Sequence, residues 1–292
     1  MKEFKDKVAV VTGAASGIGR GIAERCVQQG IKTVLADIEA EPLAQTEAAL
    51  KASGATVLAL RTNVAQASDV EALAERTLSA FGAVHILFNN AGVAAGASVW
   101  ESTAADWEWT IGVNLWGVIH GVRVFVPIML AQDTECHIVN TASIAGLNAG
   151  PGLGPYRVSK HGVVALSETL HHELVQRKAK IKVSVLCPGF VRTRIMEAER
   201  NRQVPVKRQV SPELAAAYDA LRQAVQAGSP PDQVAEVVYD AIAADKFYIF
   251  THPEWNDQVR IRMEDILEER NPTAPRSWLK SSIGEGAKNV GQ

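Results

Sequence analysis

The chain has 292 residues, of which 47% are hydrophobic, and its formal net charge is −2. This length is sufficient for one large α/β domain with a fully buried sheet. A charge balance this close to neutral argues against nucleic acid or a membrane surface as a partner. The cysteines Cys26, Cys136 and Cys187 lie far apart, without CxxC or Cys/His spacing, so we expect neither a disulfide framework nor a metal site.

Two segments bear on where the protein resides. The N-terminal segment Met1–Lys7 is charged and lacks the apolar core of a signal peptide. The most apolar long segment, Val113–Leu130, carries His120 and Arg123 and therefore predicts a buried helix rather than a membrane span. A reducing, cytoplasmic location is the resulting expectation.

Short apolar runs alternate with helical patterns along the chain. The runs predict strands at Val8–Thr12, Thr33–Ala36, Val57–Leu60, His85–Phe88, His137–Asn140, Lys182–Leu186 and Phe247–Phe250. The helical patterns between them cover Gly17–Gln29, Pro42–Ala52, Ser68 to about Phe81, Ala105–Ala131 and Tyr156–Gln176. Ser68 with Glu71 forms a capping-box pattern at the start of the third helix.

Strands this short and this apolar are typical of burial on both faces. Alternating βαβ units predict an α/β protein with a doubly wound, mostly parallel sheet of about seven strands, which is a Rossmann fold. We expect a single domain over residues 1–270. The tail 271–292 is rich in Pro, Ser, Gly and Lys, and we expect it to be poorly ordered.

A glycine-rich turn, Thr12–Gly19, joins the first strand to the first helix. Gly13 permits a sharp turn, Gly17 lets backbone approach a pyrophosphate, and Gly19 lets the helix pack closely. The free amides and the positive dipole end of the helix favour phosphate groups there. The turn therefore predicts a dinucleotide site, although the spacing is GxxxGxG and an ordinary strand-to-helix turn is the alternative.

Asp37 ends the second strand, eighteen residues after Gly19. A carboxylate at this place accepts hydrogen bonds from the hydroxyls of the adenosine ribose. It would also repel a 2′-phosphate, and Ser16 and Ile38 supply no basic side chain to hold one. The sequence thus predicts NAD rather than NADP, with a solvated loop carboxylate or a helix cap as the alternative for Asp37.

Tyr156 and Lys160 are four residues apart and share one helix face, and Ser143 follows the fifth strand. Lowering a phenol pKa from about 10 to about 7 requires roughly 4 kcal/mol. One ammonium at about 4 Å supplies that order of energy if the effective dielectric constant is near 20. Although a YxxxK pair alone is common on helix surfaces, this set predicts proton transfer at an alcohol or carbonyl oxygen.

Together these motifs resemble those of the classical short-chain dehydrogenases/reductases. The resemblance covers about Lys7 to Arg194 and the closing strand. Thr12–Gly19 is similar to the family's cofactor turn, and Asn89–Gly92 to the NNAG segment that steadies its central sheet. Asn114 is similar to the asparagine that interrupts a helix and holds a water in the family's proton relay.

The resemblance implies roles for a larger set of residues. The implied catalytic residues are Asn114, Ser143, Tyr156 and Lys160. The implied cofactor-binding residues are Gly13, Ser16, Gly17, Ile18, Gly19, Asp37, Ile38, Asn63, Val64, Asn90, Ala91, Gly92, Tyr156, Lys160, Pro188, Gly189, Val191 and Thr193. It further implies hydride transfer on the pro-S face of the nicotinamide, a substrate lid at about 190–230, and a homodimer or homotetramer assembled through the two long helices.

The sequence departs from the family pattern after the third strand, where Asn63-Val64 replaces the frequent Asp-Val. The asparagine carbonyl can accept the same bond from the adenine amino group, so we expect binding to survive. Within the lid, the segment from Arg192 to Arg208 holds six basic residues. These charges either bind an acidic substrate or form a solvated face. Trp100 is a further candidate for the border of the substrate cleft.

The resulting hypothesis is an NAD-dependent oxidoreductase, without a metal, that interconverts a secondary alcohol and a ketone and so has a small-molecule substrate as its partner. Two alternatives stay open. One is a non-catalytic binding protein that senses NAD on the same fold. The other is a nucleotide-sugar epimerase or dehydratase, for which the roughly 100 residues after Pro188 leave little room for a substrate domain.

Overall fold

The computed structural model describes residues 1–94, 98–202 and 212–274. The strands are β1 (Val8–Thr12), β2 (Lys32–Asp37), β3 (Val57–Arg61), β4 (Ile86–Asn89), β5 (Cys136–Thr141), β6 (Ile181–Cys187) and β7 (Tyr248–Phe250). The α-helices are α1 (Gly17–Gln28), α2 (Ala40–Ala52), α3 (Ala67–Phe81), α4 (Ala104–Ile111), α5 (Gly117–Gln132), α6 (Gly154–Gln176), α7 (Pro212–Gln226), α8 (Pro231–Ala243) and α9 (Asn256–Leu267). Shorter 3₁₀ turns cover Ile144–Gly146, Ile195–Asn201 and Pro253–Trp255, and a π-helical turn covers Gly112–Trp116.

All seven strands form one parallel sheet in the order β3-β2-β1-β4-β5-β6-β7. The chain builds outwards from β1 to β3 and then returns to place β4 on the other side of β1. The strand order reverses between β1 and β4, and their carboxyl ends therefore border the crevice in which such sheets bind ligands. The prediction of a single Rossmann-type α/β domain with about seven strands is confirmed.

Helices cover both faces of the sheet, as the alternation of buried side chains along β1 shows. Ala9 and Val11 belong to a core cluster with Val234 and Val238 of α8, on the face where α1 also packs. Val10 belongs to a second cluster on the opposite face, formed with side chains of α3, α5 and α6. Because both faces are buried, every residue of β1 is apolar apart from Thr12 at its end.

A buried hydrogen bond joins the two central strands near their carboxyl ends. Asn89 Nδ2 donates to Asn140 Oδ1 at 2.9 Å, and Asn140 Nδ2 donates to Ser167 Oγ at 3.0 Å. α5 passes so close to this pair that a Cβ on Gly121 would lie 2.1 Å from Asn89 Oδ1. The first asparagine of the NNAG segment thus ties β4 to β5 and α6.

The long apolar segment forms one interrupted helical stretch, Ala104–Gln132. By length and composition alone this described stretch could cross a membrane, and 44% of its most apolar window is buried inside the protein. Phe125 and Met129 are fully buried in the cluster that faces α3. One side of this stretch therefore packs into the hydrophobic core of the domain.

The start of α3 and the helices α7 and α9 differ from the sequence predictions. The capping box at Ser68 is wrong, because α3 begins at Ala67 and its N-cap Gln66 makes no side-chain cap. Asp69 Oδ2 instead accepts a bond from Asn63 N at 2.9 Å. The helices α7 and α9 were not predicted. Most of the predicted tail, residues 275–292, lies outside the described residues.

Candidate active site

The glycine turn after β1 has the shape that its sequence predicts. Gly13 and Gly17 adopt φ values of +69° and +54°, which disfavour any side chain. A Cβ on Gly19 would lie 2.1 Å from Gly13 O, so α1 can approach the turn only without one. Ser16, the N-cap of α1, makes no side-chain cap bond, which leaves the amides of the first helical turn to a ligand.

Thr12 fastens this turn to the segment that follows β4. Its Oγ1 accepts bonds from Asn90 N at 2.9 Å and Ala91 N at 3.0 Å, and donates to Phe88 O at 3.2 Å. Asn90 Nδ2 donates back to Thr12 O at 3.0 Å. Sequence reasoning assigned no role to this threonine, whose hydroxyl holds the two sides of the crevice in register.

Asp37 lies at the carboxyl end of β2, beside the glycine turn. Its Oδ2 accepts from Ala15 N at 2.9 Å and its Oδ1 accepts from Glu39 N at 3.0 Å. Burial raises the pKa of the Asp37 carboxyl, and these two backbone bonds oppose the rise. The two backbone bonds therefore fix the orientation of the Asp37 carboxylate, which lines the cavity.

The next strand supplies the predicted pair Asn63 and Val64. Asn63 Oδ1 accepts from Ala65 N at 3.2 Å, so the carbonyl expected to meet an adenine already serves the local turn. Val64 packs against α5, where a Cβ on Gly117 would lie 2.8 Å from its Cγ2. Both residues line the crevice.

Tyr156 lies in the first turn of α6, which follows the loop after Ser143. Ser143 caps the 3₁₀ turn at Ile144–Gly146 by accepting from Ala145 N at 3.1 Å. Burial raises the pKa of the Tyr156 phenol, while a hydrogen bond with the Ser143 side chain and the charge of Arg157 oppose the rise. The serine and the tyrosine thus share one hydrogen-bonded site, as the sequence predicts.

Lys160 is buried beneath the tyrosine, with its Nζ 5.6 Å from the centre of the Tyr156 ring. The ammonium donates to Thr141 O at 2.9 Å, which leaves two of its three donors for other partners. Burial raises the pKa of the Tyr156 phenol more than Ser143 and Arg157 lower it. A low phenol pKa requires one more positive charge close by.

The buried ammonium gives stability a pH dependence. Burial lowers the pKa of Lys160 from 10.5 to about 8. Between these values the unfolded chain binds more protons at this site than the folded chain does, so the free energy of unfolding rises with pH. Relative to Lys160→Met, the wild type should gain about 2 kcal/mol from about pH 7 to about pH 10. Urea unfolding of both proteins across this range measures the gain, and a constant difference would contradict it.

Asn114 lies in the π-helical turn that interrupts the long helical stretch, as predicted. Its Oδ1 accepts from Val93 N at 2.8 Å, and its Nδ2 donates to Val93 O at 2.9 Å and to Ser159 Oγ at 3.1 Å. A Cβ on Gly92 would lie 3.4 Å from Asn114 Oδ1 and 3.5 Å from Lys160 Nζ. The asparagine therefore fastens the segment after β4 to α6 next to the lysine.

The segment after β6 closes the far side of the crevice. Gly189 N donates to Thr251 Oγ1 at 3.2 Å, and a Cβ on Gly189 would lie 2.7 Å from the His252 ring. Thr193 reaches the glycine turn, since a Cβ on Gly17 would lie 2.9 Å from its Cγ2. The predicted Pro188-to-Thr193 segment thus faces the turn across the opening.

Most of these groups surround one cavity of about 670 Å³. Apart from Gly19 and Asn114, which lie behind its wall, every predicted site residue lines it. Beyond Tyr156 the wall is largely apolar, formed by Ile144, Leu153, Phe190, Leu221, Val225 and Trp255. The structure therefore brings together residues from all parts of the predicted motifs.

The sequence analysis did not predict a polar cluster that lies on the cavity wall among these apolar side chains. Asn148 Nδ2 donates to Gln258 Oε1 at 2.7 Å, and Arg157 Nη1 donates to Asn148 Oδ1 at 3.0 Å. The three side chains line the cavity and join α6, the loop before it and α9. Trp100, by contrast, is 85% exposed and does not line the cavity.

Three of the four described basic residues in the predicted lid segment, Arg194, Arg200 and Arg202, form ion pairs within the protein. Arg202 Nη2 lies 2.7 Å from Asp106 Oδ1, with its guanidinium 4.4 Å from the centre of the Trp109 ring. Arg194 pairs with Glu197, and Arg200 pairs with Glu39, which follows β2. Lys207 and Arg208 lie outside the described residues. These ion pairs weaken the hypothesis that the segment binds an acidic substrate.

Comparison with known proteins agrees with this geometry. Residues 7–204 match the short chain dehydrogenase family. A CLA biosynthesis dehydrogenase/reductase from Lactiplantibacillus plantarum is 35% identical, over 93% of this chain and 97% of its own. A C alpha-dehydrogenase from Sphingobium sp. is 32% identical, over 98% of this chain and 95% of its own.

One solved structure that resembles this chain contains NAD. A short chain dehydrogenase/reductase from Burkholderia phymatum in complex with NAD is 50% identical, with a TM-score of 0.92 over 94% of this chain and 99% of its own. The glycine cradle and the free helix N-terminus described above fit a nicotinamide dinucleotide of this kind. The chain belongs to the short-chain dehydrogenase/reductase family of oxidoreductases.

Proposed function

We propose that the protein is an NAD-dependent oxidoreductase that interconverts a secondary alcohol and a ketone. The observation that carries the proposal is that Ser143, Tyr156 and Lys160 line the same cavity as the glycine turn. A dinucleotide bound at Gly13 to Gly19 would extend along the crevice toward the phenol. Hydride exchange and proton transfer could then take place at one carbon–oxygen bond.

In the proposed mechanism Tyr156 is the general acid and base. As the phenolate it takes the proton of the alcohol during oxidation, and as the phenol it gives a proton to the carbonyl oxygen during reduction. Ser143 donates to the same substrate oxygen and orients it. A bound nicotinamide would accept or supply the hydride and, when oxidised, would add the positive charge that the phenol needs.

Lys160 and Asn114 support this centre. The two remaining donors of the Lys160 ammonium are available to hold the nicotinamide ribose, and its charge favours the phenolate. Asn114 is proposed to position a relay water, with its side chain fixed by Val93 and Ser159. The relatives named as dehydrogenases and reductases support the same reaction class.

We further propose that the substrate is bulky and largely apolar. Six apolar side chains wall the cavity beyond Tyr156, and Asn148 with Gln258 offers amide groups at one point of that wall. The test is a panel of small, steroid-like, aromatic and acidic secondary alcohols, followed by NADH absorbance. Turnover of bulky apolar members supports the proposal, and a preference for acidic members would contradict the substrate class.

Asp37→Ala should relax the preference for NAD. The carboxylate is fixed by Ala15 N and Glu39 N where it would accept from ribose hydroxyls and repel a 2′-phosphate. We expect NADH to bind about tenfold more weakly and NADPH to bind more tightly than in the wild type, since a hydrogen bond to a charged group is worth about 1.5 kcal/mol or more. Titration with both cofactors measures this, and unchanged discrimination would count against the role.

A homo-oligomer in the cytoplasm is also proposed. The two long helical stretches that carry Asn114 and Tyr156 leave Trp116 48% exposed and Val158 51% exposed, although both are apolar. Burial of such side chains between copies would remove apolar area from water.

A further inference from the structure

Glu39 and Arg200 form a two-bond ion pair across the mouth of the cavity. Arg200 Nε donates to Glu39 Oε1 at 2.9 Å, and Nη2 donates to Oε2 at 2.6 Å. Glu39 is the N-cap of α2, two residues after Asp37, whereas Arg200 belongs to the lid segment. The pair therefore joins the lid to the crevice wall that holds the proposed ribose carboxylate.

The guanidinium is held in place independently of Glu39. Arg200 Nη1 donates to Arg194 O at 3.1 Å and to Glu197 O at 3.0 Å, both within the lid segment itself. Hydrogen bonding from Arg200 is the largest cause of a lowered pKa at Glu39, and Asn201 and Arg194 act in the same direction. Removal of the Glu39 charge would thus leave the guanidinium in position, with its Nε and Nη2 edge facing at most a neutral acceptor that a phosphate can displace.

That edge would lie beside the ribose-binding position. Glu39 N donates to Asp37 Oδ1 at 3.0 Å, and Asp37, Glu39 and Arg200 all line the same cavity. A guanidinium edge is the protein group best matched to a phosphate, because two parallel N–H donors meet two oxygens. The chain consequently carries a group suited to phosphate close to Asp37, the proposed ribose carboxylate, and keeps that group paired with Glu39.

We propose that Glu39 is a second determinant of cofactor selectivity, which acts by holding Arg200 away from the 2′-phosphate of NADP. The inference rests on the proposed NAD site but not on the chemistry of Tyr156. Asp37 repels the phosphate directly, whereas Glu39 removes the cation that would attract it. Loss of Asp37 alone should therefore give only part of the possible NADPH binding.

The test measures NADH and NADPH dissociation constants by fluorescence, without turnover. Asp37→Ala, Asp37→Ala/Glu39→Gln, and the triple variant with Arg200→Ala are compared. Asp37→Ala/Glu41→Gln is the matched control, since Glu41 is an exposed carboxylate of the first turn of α2 that does not line the cavity. It removes the same charge without touching Arg200.

We expect Asp37→Ala/Glu39→Gln to bind NADPH more tightly than Asp37→Ala does. The ratio of the NADPH to the NADH dissociation constant should fall by about tenfold, the effect of one charge-assisted bond to a phosphate. Arg200→Ala should abolish that gain, and the Glu41 control should show little of it. An equal gain in the control, or a gain that survives Arg200→Ala, would overturn the inference while leaving NAD binding intact. Failure of the wild type to bind NADH would refute the proposed cofactor and this inference together.

Discussion

Tyr156→Phe is expected to lower kcat by about a thousandfold, the order of effect of a general acid or base. Phenylalanine keeps the ring that packs over Lys160 but removes the hydroxyl that shares a hydrogen bond with Ser143. Phenylalanine can form no phenolate to take the proton of the alcohol. The dissociation constant for NADH should change by less than about threefold, since the cofactor contacts remain.

The measurement combines turnover at saturating cofactor with a fluorescence titration of NADH. Tyr248→Phe is the matched control, because Tyr248 lies on β7, is 43% exposed and bonds Glu168 on the surface. It should keep wild-type turnover. If Tyr156→Phe stayed active while binding NADH normally, the assignment of the general acid and base would be wrong.

Gly19→Ala should abolish measurable cofactor binding. The added Cβ would lie 2.1 Å from Gly13 O and 2.5 Å from Asn90 Nδ2, so the glycine turn and α1 must move apart. A clash with backbone this close should cost about 3 kcal/mol of binding free energy, which corresponds to about a hundredfold loss of NADH affinity. The free energy of unfolding should fall as well, because one of the two contacts is backbone.

Gly162→Ala provides the comparison for this prediction. Its added Cβ would meet only the terminal methyl groups and Cγ of Leu115, at 2.9 Å and beyond, and a leucine side chain can move aside. NADH titration and urea unfolding of both variants should therefore separate them. Equal NADH affinity in Gly19→Ala and the wild type would show that the turn does not hold the dinucleotide.

Much of the fold could be predicted because its signals are local. Each strand is an apolar run bounded by turn residues, and the glycine turn is one continuous segment. Tyr156 and Lys160 share a helix face by spacing alone. Burial on both faces of the sheet then follows from the absence of alternation along the strands.

What the sequence could not show depends on contacts between distant residues. Arg200 and Glu39 are 161 positions apart, and Asn148 and Gln258 are 110 positions apart. No local sequence pattern predicts such pairs of distant residues. The balance that sets the Tyr156 pKa was also missed, because the depth of burial is a property of the packed structure rather than of spacing.

The capping box at Ser68 failed for a different reason. Both residue types were present at the right spacing, but Asp69 accepts from Asn63 N, and the N-cap of α3 is Gln66, two residues before the Ser68 of the pattern. Helix ends are decided by which of several competing side chains reaches a free amide. A motif of two residues does not resolve that competition.

The most direct test of the central claim follows a labelled hydrogen. The protein is incubated with a bulky apolar ketone and NADH that carries deuterium at the pro-S position, and the alcohol product is analysed by mass spectrometry and NMR. Deuterium at the carbinol carbon, with none transferred from the pro-R label, is the predicted result. Normal NADH binding without deuterium transfer to any ketone of the panel would contradict the account and favour a protein that only senses the nucleotide.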